Sequence, residues 1–474
     1  MLTYDLADRG EQSLYESLYH HIRDDILCGN LQPDDRLPSK RRLAEHLGVS
    51  VITVEGAYRQ LMTEGYISSR ERSGYYVRPI SAPPCAKNIH PVREAQIQHP
   101  CAIADFTSTS VSTDLSFARL WEKTLRDTIS SESEQELFAA QPAQGMARLR
   151  ESLAMWLAQA RGMTTDPDRI VVAAGAPLLY NLVALLHGAD GPAALESPGY
   201  RKLQSIYEAM GKSTVAVPLD DEGIDMSELD KSGASLVHVM PSHQFPTGIV
   251  TSISRRYELL GWASRTSGRY IVEDDYDWEF RLAGKPIPSL SSIDTEGNVI
   301  YLNTFSKSLS PALRIAFGVF PPTLDDSLER ALQCFSSTVG TIEQIALARL
   351  MESGEYERHV NRYRNKSRNS RDQLLDDLQM CPAANRFSFE ECDSGLHFVL
   401  CVNTRAKAVD IAEQAAEKGV GLAPIERYDM GTMRIPDGNA RFVMQYDDVD
   451  PESFERAVAV ICASIELSER QCHA

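Results

Sequence analysis

One lysine stands among hydroxyl groups, with an arginine close behind it, in the segment NTFSKSLSPALR at residues 303–314. Thr304 and Ser306 precede the amine of Lys307, and the guanidinium of Arg314 follows it by seven residues. A lysine amine forms an imine with an aldehyde, whereas hydroxyls and an arginine can bind one phosphate dianion. The segment therefore favours capture of a phosphorylated aldehyde, against the plainer interpretation of Lys307 as a surface lysine.

Segments upstream of this lysine could supply the other groups that such an aldehyde needs. Asp274 and Tyr276, in EDDYDWEF, follow an apolar strand-like run, and an acid there could keep a ring nitrogen protonated. Tyr200, in ESPGY, could stack on that ring, and AAGAPLLYN offers the amides of Gly175 and Ala176 at the start of a helix. Together these groups meet the demands of pyridoxal 5'-phosphate, although an acidic run taken alone is usually solvated.

Strand-like runs alternate with helical stretches in the region that contains these residues. The runs are RIVVAAG, PAALE, STVAVPL, SLVHVM, RYIVEDD, VIYLN and RIAFGVF. This alternation predicts a mostly parallel sheet with helices on both faces, and such sheets bind ligands at the carboxyl ends of their strands. From about residue 340 onward, two helices, strands near 396–402 and 441–446 and a last helix from 451 predict a smaller α+β lobe.

The first eighty residues predict a separate small domain. Apolar spacing predicts a helix over 14–28, Ser39 and Ser50 could cap two more helices, and two short β runs flank SRERSG as a hairpin. Three helices followed by a hairpin form a winged helix-turn-helix. The net charge of the chain is −18, but residues 36–78 carry eight basic and four acidic side chains, which favours phosphate at this surface.

A helix-turn-helix places its second helix in the major groove, and basic or hydroxyl groups around it hold the phosphates. The candidate residues on the two helices are Ser39, Lys40, Arg41, Ser50, Thr53 and Arg59. Arg70 and Arg72 are predicted at the tip of the wing. The alternative is a solvated basic face on a small protein-interaction domain.

Residues 29–77, GNLQPDDRLPSKRRLAEHLGVSVITVEGAYRQLMTEGYISSRERSGYYV, resemble the DNA-binding domain of GntR-family bacterial repressors along almost their whole length. The resemblance implies binding of double-stranded operator DNA, and it adds Arg36 and Gly74 to the DNA-facing residues. Val51 and Glu55 depart from the family pattern, since many relatives carry arginine or another polar group there. Base readout is therefore not carried over from the family.

Residues 105–467 resemble the fold-type-I, aspartate aminotransferase-like enzymes, and SKSLSPALRIAFG is similar to the motif that carries their cofactor lysine. The resemblance implies that the lysine of this motif forms a Schiff base and that Arg314 binds the phosphate. By the same matching, Asp274 would pair with the pyridine nitrogen, Tyr276 would bond the ring 3-hydroxyl, and Tyr200 would stack on the ring.

Three further positions bear on ligand binding and turnover. Arg441, in ARFVMQY, matches the family's arginine that binds a substrate carboxylate. Phe245, in PSHQFPTG, stands where aminotransferases commonly carry an asparagine that bonds the cofactor hydroxyl. Phe138 stands where relatives often place a tyrosine that reaches the phosphate in the neighbouring subunit. The two phenylalanines weigh against full catalytic turnover.

PSHQFPTG, EDDYDWEF and the GntR-like front end together resemble the combination found in MocR-type, GabR-like transcriptional regulators. The expected fold is multidomain, with a small α+β winged helix-turn-helix at 11–78, a linker at 79–104 and a large α/β fold-type-I domain at 105–467. A C-terminal α+β lobe comprises about 340–467, together with the segment 105–150.

The resemblance implies a DNA-binding transcriptional regulator that senses a small amino compound. The compound would form an external aldimine with pyridoxal phosphate at Lys307, while its carboxylate meets Arg441. The resemblance also implies a homodimer that is head-to-tail and domain-swapped. Two alternatives stay open: a working aminotransferase with an accessory DNA-binding domain, and a structural protein that has kept the fold but lost the cofactor.

The cysteine pattern, the N-terminal sequence and the longest apolar run bear on metal binding, disulfides, secretion and membrane insertion. The nine cysteines form no C-x-x-C pair, so neither a zinc site nor a disulfide framework is expected, and no metal is predicted. MLTYDLADRGEQ does not resemble a secretory signal, and the apolar run 170–186 suits a strand, turn and helix better than a membrane span. A cytoplasmic protein without a membrane partner is expected. The basic helix at 356–374 is interpreted as a solvated face, with an extra DNA-phosphate surface as the alternative.

Overall fold

Two compact units divide the chain, one over Met1–Gln98 and one over His99–Ala474. The structure is a computed structural model that describes residues 2, 4, 13–71, 73–80, 103–108, 115–188, 190–282, 287–390, 392–393, 395–432 and 438–472. Most of the expected linker at 79–104 lies outside these residues.

Three helices and a three-stranded sheet make up the described part of the first unit. Their bounds are α1 Leu14–Leu27, β1 Arg36–Leu37, α2 Lys40–Leu47, α3 Val51–Thr63, β2 Ile67–Arg70 and β3 Gly74–Val77. The strands pair antiparallel in the order β1-β3-β2. The predicted winged helix-turn-helix is confirmed. The strand β1 was not predicted, because two residues are too few to leave a periodic signal.

Capping serines begin both helices of the helix-turn-helix. Ser39 Oγ accepts from the amide of Arg42 at 3.4 Å, and Ser50 Oγ accepts from the amide of Thr53 at 3.0 Å. The three helices bury their apolar faces in one core. Fully buried side chains of this core are Leu18, Ile22, Leu43, Val54, Ala57, Tyr58 and Leu61. The caps and the shared core fix the two helices that a helix-turn-helix presents to DNA.

The described part of the second unit contains fourteen strands and thirteen helices. The strands are β4 Ala104–Asp105, β5 Ile170–Ala173, β6 Ala193–Ser197, β7 Thr214–Asp220, β8 Gly223–Ile224, β9 Leu236–Val239, β10 Tyr270–Asp274, β11 Val299–Thr304, β12 Ala316–Val319, β13 Phe387–Glu390, β14 His397–Asn403, β15 Val420–Gly421, β16 Ala423–Pro424 and β17 Asn439–Gln445. The helices are α4 Leu115–Ser131, α5 Glu134–Phe138, α6 Ala147–Arg161, α7 Ala176–His187, α8 Arg201–Ala209, α9 Met226–Lys231, α10 Ile253–Ser264, α11 Leu290–Ile293, α12 Asp325–Leu332, α13 Thr341–Glu352, α14 Glu355–Met380, α15 Ala408–Glu417 and α16 Phe454–Cys472.

An eight-stranded sheet in the order β5-β12-β11-β10-β9-β6-β7-β8 forms the centre of this unit. Strands β7, β6, β9, β10 and β11 are parallel, whereas β12 is antiparallel to both of its neighbours. All seven predicted runs are strands of this sheet. Leu179 and Leu203, from α7 and α8, pack on one face, while Leu153 and Trp262, from α6 and α10, pack on the other. The predicted α/β fold with helices on both faces is confirmed.

A second, antiparallel sheet in the order β13-β14-β17-β16 builds the smaller lobe. Phe398 and Phe442 from its strands pack with Leu374 and Ile461 from α14 and α16. Strand β4 pairs with β15 of this lobe, whereas α4 and α6 contribute to the core beneath the central sheet. The segment 105–150 is thus divided between the two cores. No helix within the described ranges is both long and apolar enough to span a bilayer.

Candidate functional site

The predicted cofactor residues follow the carboxyl ends of neighbouring strands. Gly175 and Ala176 follow β5, Tyr200 follows β6, Asp274 ends β10, and Lys307 lies three residues after β11. Strand β5 shares the direction of β11 because both are antiparallel to β12. The parallel arrangement therefore brings all these residues to one edge of the sheet.

A cavity of about 280 Å³ lies at this edge. The predicted residues that line it are Ala176, Tyr200, Asp274, Tyr276, Thr304, Ser306, Lys307 and Arg314. The further lining residues, which were not predicted as site residues, include Lys202, Asp277, His397 and Gln445. The fold thus brings the amine, the acid, the aromatic ring and the phosphate-binding groups into one space.

The environment of Lys307 suits imine formation. Burial lowers the pKa of its ammonium below the ordinary value, although the carboxylates of Asp277, Asp447 and Asp448 oppose the shift. A lower pKa increases the fraction of neutral amine near neutral pH. The neutral amine is the form that attacks an aldehyde carbon.

Asp274 is buried with only one of its two carboxylate oxygens satisfied. Oδ2 accepts from the hydroxyl of Tyr180 at 2.6 Å and lies 3.5 Å from Nε2 of His238. Oδ1 has no hydrogen-bond partner among the described residues. A buried carboxylate oxygen without a donor is costly, so Oδ1 fits a ring nitrogen that carries a proton.

Arg314 lies against Gly175 at the N-terminus of α7. A Cβ on Gly175 would stand 2.2 Å from Nη2 of Arg314, so a glycine is required for this approach. The hydroxyls of Thr304 and Ser306 lie 2.9 Å apart in the same cavity. Amides at a helix N-terminus, an arginine and two hydroxyls together form a donor set that fits a phosphate dianion.

The two phenylalanines that depart from the aminotransferase pattern occupy different environments. Phe245 packs edge-on against Tyr200, with ring centroids 6.1 Å apart and an interplanar angle of 87°. Its ring offers no hydrogen bond at the position of the aminotransferase asparagine. Phe138 ends α5 with 78% of its surface exposed.

A buried cluster that the sequence patterns did not indicate borders the same cavity. Nδ1 of His243 donates to Oδ2 of Asp277 at 2.8 Å, and the hydroxyl of Tyr276 lies 3.3 Å from that nitrogen. The ring of His397 stands 4.3 Å from that of His243, measured between centroids. Donor atoms of both histidines and Asp277 lie within 4.8 Å of one another, a set that could hold a metal ion. No spacing motif joins these residues, and lone histidines in apolar runs are usually core residues.

Glu273 and Asp275 of EDDYD lie in the opposite layer of the fold. Arg161 meets Asp275 at 2.6 Å, and Arg256 meets Glu273 at 3.5 Å, with all four side chains buried. Successive residues of a strand alternate between faces, so Asp274 points away from both pairs. Of these three consecutive residues, only Asp274 lines the cavity.

Arg441 does not reach the cavity. It lies on β17 opposite Cys401, and its guanidinium donates to Glu390 on β13. Gln445, which lines the cavity, stands four residues further along β17, and four residues of a strand span about 13 Å. This placement does not support the expected carboxylate contact from Arg441.

On the first unit, none of the predicted DNA-facing residues that the structure describes is buried. Lys40 donates to Glu55 at 2.9 Å, and Arg59 lies 3.9 Å from the same carboxylate oxygen. Glu55 is thereby neutralised within α2 and α3. Val51 and Ile52 expose 43% and 80% of their surface at the start of α3, where an apolar side chain can contact a thymine methyl.

The wing and its neighbour strand hold the remaining predicted contacts. Arg36 lies beside Gly74, where an added Cβ would stand 3.3 Å from Nε of Arg36. Arg70 pairs with Asp34, which reduces its availability for phosphate. Arg72 lies outside the described residues.

The basic helix at 356–374 divides into anchoring and exposed residues. Arg364 and Arg368 donate to the backbone carbonyls of Glu279 and Leu282, at 2.7 Å and 2.8 Å. The exposed basic residues of α14 are Arg358, Arg362 and Lys366. The solvated-face interpretation holds for this second group only.

Comparisons with known proteins agree with both halves of the fold. The family model "Bacterial regulatory proteins, gntR family" matches residues 14–77, and "Aminotransferase class I and II" matches residues 108–461. An uncharacterized HTH-type transcriptional regulator, YhdI of Bacillus subtilis, is 34% identical over 427 residues, which cover 90% of each chain. The probable rhizopine catabolism regulatory protein MocR of Rhizobium meliloti is 29% identical over 468 residues, 94% of this chain and 92% of that one.

The second unit also matches a solved enzyme structure. Kynurenine aminotransferase of Pyrococcus horikoshii, solved in complex with PMP, aligns with a TM-score of 0.67 and 23% identity over 77% of this chain and 91% of that chain. This likeness concerns the fold alone. The chain belongs to the gntR family of bacterial regulatory proteins and is a MocR-type transcriptional regulator, in which a helix-turn-helix domain is fused to an aminotransferase class I and II domain.

Proposed function

We propose that this regulator binds pyridoxal 5'-phosphate at Lys307, senses a small amino compound through it, and changes its binding to operator DNA in response. The cofactor supplies an aldehyde carbon that bonds amines reversibly. The effector amine would take the place of Lys307 on that carbon, and this exchange is the external aldimine step expected from the sequence.

The observation that carries the proposal is the convergence of three groups on one cavity. The Lys307 amine matches the carbonyl carbon, Oδ1 of Asp274 matches the ring nitrogen, and the Arg314 guanidinium matches the phosphate. A fold that had lost its cofactor would gain nothing from an unsatisfied buried oxygen, which costs about 1–3 kcal/mol. This argues against a purely structural protein.

The rest of the cavity wall suits an amine that also carries an acid group. Lys202 supplies a positive charge, and Gln445 supplies amide donors, both within the cavity lining. In this proposal, Lys202 and Gln445 bind the acid group of the effector, which is the role that the family resemblance assigned to Arg441. Replacement of Lys202 by Met should weaken capture of amino acids more than capture of amines that lack an acid group.

The DNA-binding part of the proposal uses α3 in the major groove, with phosphate contacts from Arg36, Arg41 and Arg59. It also includes a homodimer in head-to-tail, domain-swapped pairing, which operators with two half-sites would match. Sedimentation with and without operator DNA would test the homodimer.

A working aminotransferase is the second candidate function. The aminotransferase class I and II domain favours it, whereas Phe245 opposes it because the ring removes one hydrogen bond to the cofactor. The two functions differ in turnover. An enzyme converts many equivalents of amino donor in the presence of a keto acid, whereas a sensor binds about one effector per cofactor site.

Absorbance spectroscopy with the full chain tests the proposal. The purified protein with added cofactor should show a visible imine band, and borohydride reduction should fix the cofactor on Lys307 but give no adduct in Lys307→Ala. Effectors that change this band should change operator affinity at fixed salt by a measurable factor, because only differential affinity shifts an equilibrium between two states. Band changes without any change in DNA affinity would contradict the sensing function and leave cofactor binding intact.

A further inference from the structure

Tyr276 shares its surroundings with a buried carboxylate and imidazole. His243 donates from Nδ1 to Asp277 at 2.8 Å, and both side chains are at most 2% exposed. The Tyr276 hydroxyl lies 3.3 Å from that nitrogen, and burial together with the neighbouring Asp277 carboxylate raises its pKa well above the ordinary value. Nδ1 carries one proton at most and directs it to Asp277, so it does not accept the proton of the Tyr276 hydroxyl, and the Asp277 carboxylate is the neighbouring acceptor.

Phe245 reduces the number of hydrogen-bond donors that the 3-oxygen of the cofactor would have. The family resemblance assigns two donors to the 3-oxygen of the cofactor, an asparagine and a tyrosine. Phenylalanine replaces the asparagine here, so the hydroxyl of Tyr276 is the remaining one of the two. A buried carboxylate beside this hydroxyl can therefore compete with the cofactor for a single proton.

We propose that Asp277 and His243 are positioning residues that hold the hydroxyl proton of Tyr276 and thereby weaken its donation to the 3-oxygen of the cofactor. The inference rests on the proposed function, because it concerns the cofactor that Lys307 would bind. The property affected is the pKa of the protonated imine that joins Lys307 to the cofactor, called the Lys307 linkage below. A 3-oxygen with fewer donors holds that proton more firmly, and the protonated linkage is the form that an effector amine attacks.

The fold restrains both positioning residues. A Cβ on Gly395 would stand 2.0 Å from Nδ1 of His243 and 2.7 Å from Oδ2 of Asp277, so a glycine is needed for backbone to pack here. The His397 ring packs on His243, and burial lowers the pKa of His397 well below its ordinary value, so this second ring stays neutral near neutral pH. The dyad therefore has little freedom to turn away from Tyr276.

Charges around the cluster favour a hydrogen-bonding role over a metal site. On one side, His243 and Asp277 border a small cavity that three arginines also line: Arg161, Arg256 and Arg281. On the other side, Lys307 lies near Asp277. The remaining titratable groups near Tyr276 are the carboxyl groups of Asp274 and Glu196. A divalent cation would stand among four basic side chains and would have to displace the proton between His243 and Asp277.

The test is a pH titration of the visible band of the cofactor-loaded protein. Asp277→Asn should release the Tyr276 hydroxyl toward the cofactor and lower the pKa of the Lys307 linkage by about one unit, the size of one hydrogen bond to a charged group. His243→Gln should lower it by less, because a glutamine amide can still donate to Asp277.

A double-mutant cycle separates this effect from simple loss of charge. If Asp277 acts through the tyrosine, the shift caused by Asp277→Asn should shrink by at least half in a Tyr276→Phe background. Asp448→Asn is the matched control, since Asp448 also acts on Lys307 by charge and none of its described contacts joins it to Tyr276. Its shift should be equal in both backgrounds.

Equal shifts of Asp277→Asn in the two backgrounds would overturn the inference, and so would a titration that this substitution leaves unchanged. Circular dichroism of each variant without cofactor shows that the fold is kept, and His243→Gln provides a second measurement if Asp277→Asn fails to fold. Absence of any visible band in the unsubstituted protein would instead overturn cofactor binding itself.

Discussion

Replacement of Gly175 by alanine should weaken binding of pyridoxal phosphate through a single displaced side chain. Gly175 adopts φ of +91°, and its missing Cβ leaves the space that the Arg314 guanidinium fills. An added Cβ would lie 2.2 Å from Nη2 and 2.7 Å from Cζ of Arg314. Ordinary contact between such atoms begins near 3.4 Å, so the guanidinium has to retreat by roughly 1.2 Å.

The expected loss of affinity follows from the effect of this displacement on the hydrogen bond between Arg314 and the phosphate. Hydrogen bonds to charged groups contribute about 1.5–3 kcal/mol, and a displacement of about 1 Å removes most of that contribution. The affinity for pyridoxal phosphate should therefore fall about ten- to a hundred-fold. Pyridoxal, which lacks the phosphate, should lose little affinity, because Arg314 has no partner on it.

Gly188→Ala is the matched control for the backbone cost. Gly188 follows the other end of α7 with φ of +62°, and an added Cβ meets no described atom within 4 Å. Both substitutions strain the backbone by about 1–3 kcal/mol and should lower the urea midpoint, but only Gly175→Ala should change cofactor affinity. Titration of the unliganded protein with both aldehydes, followed by absorbance, measures this. An unchanged affinity for pyridoxal phosphate in Gly175→Ala would refute the assignment of Arg314 as its phosphate ligand.

Three further predictions concern the buried Glu196, operator binding by Arg59 and the buried ion pair of Arg161. Burial raises the pKa of Glu196 to about 8, so the free energy of unfolding should fall as pH rises from about 5 through 8, and Glu196→Gln should remove that part of the fall in urea titrations. Arg59→Ala should weaken operator binding and reduce its salt slope by about one, whereas Arg126→Ala, an exposed arginine on α4, should change neither. Arg161→Met should cost about 3–5 kcal/mol, because it leaves a buried carboxylate unpaired. Arg169→Met, which breaks a partly exposed pair, should cost about 1 kcal/mol or less in the same urea titration.

The sequence predicted which residues meet at this cavity because their positions depend on strand direction rather than on detailed packing. The apolar and β-branched content of a run such as RYIVEDD indicates a buried strand. The residue at the carboxyl end of such a strand lies at the edge where parallel sheets bind ligands. Asp274 and Lys307 were found in this way. Their placement required only that β10 and β11 be parallel neighbours.

The contacts that the sequence did not predict depend on register and on distant partners. Arg441 was assigned from a motif, but its reach is decided by how far along β17 the cavity lies, and the motif does not give that distance. His243 and His397 come from loops and strands far apart in the chain, and neither has a charged neighbour in sequence that would mark it. Lys40 and Glu55 pair across α2 and α3, which only the crossing of the two helices brings together.

The alternation that begins in β10 explains how three consecutive carboxylates can be buried next to one cavity. Glu273 and Asp275 point into the layer of α6 and α10, where an arginine meets each of them. Asp274 points into the opposite layer, where tyrosine and histidine donors occupy one oxygen and leave the other open. Because the sheet lies between the two layers, the arginines neutralise two acids without approaching the third. An arginine within reach of Oδ1 of Asp274 would satisfy that oxygen, and the oxygen that fits a protonated ring nitrogen would then be lost; Arg314 lines the same cavity but leaves Oδ1 without a donor.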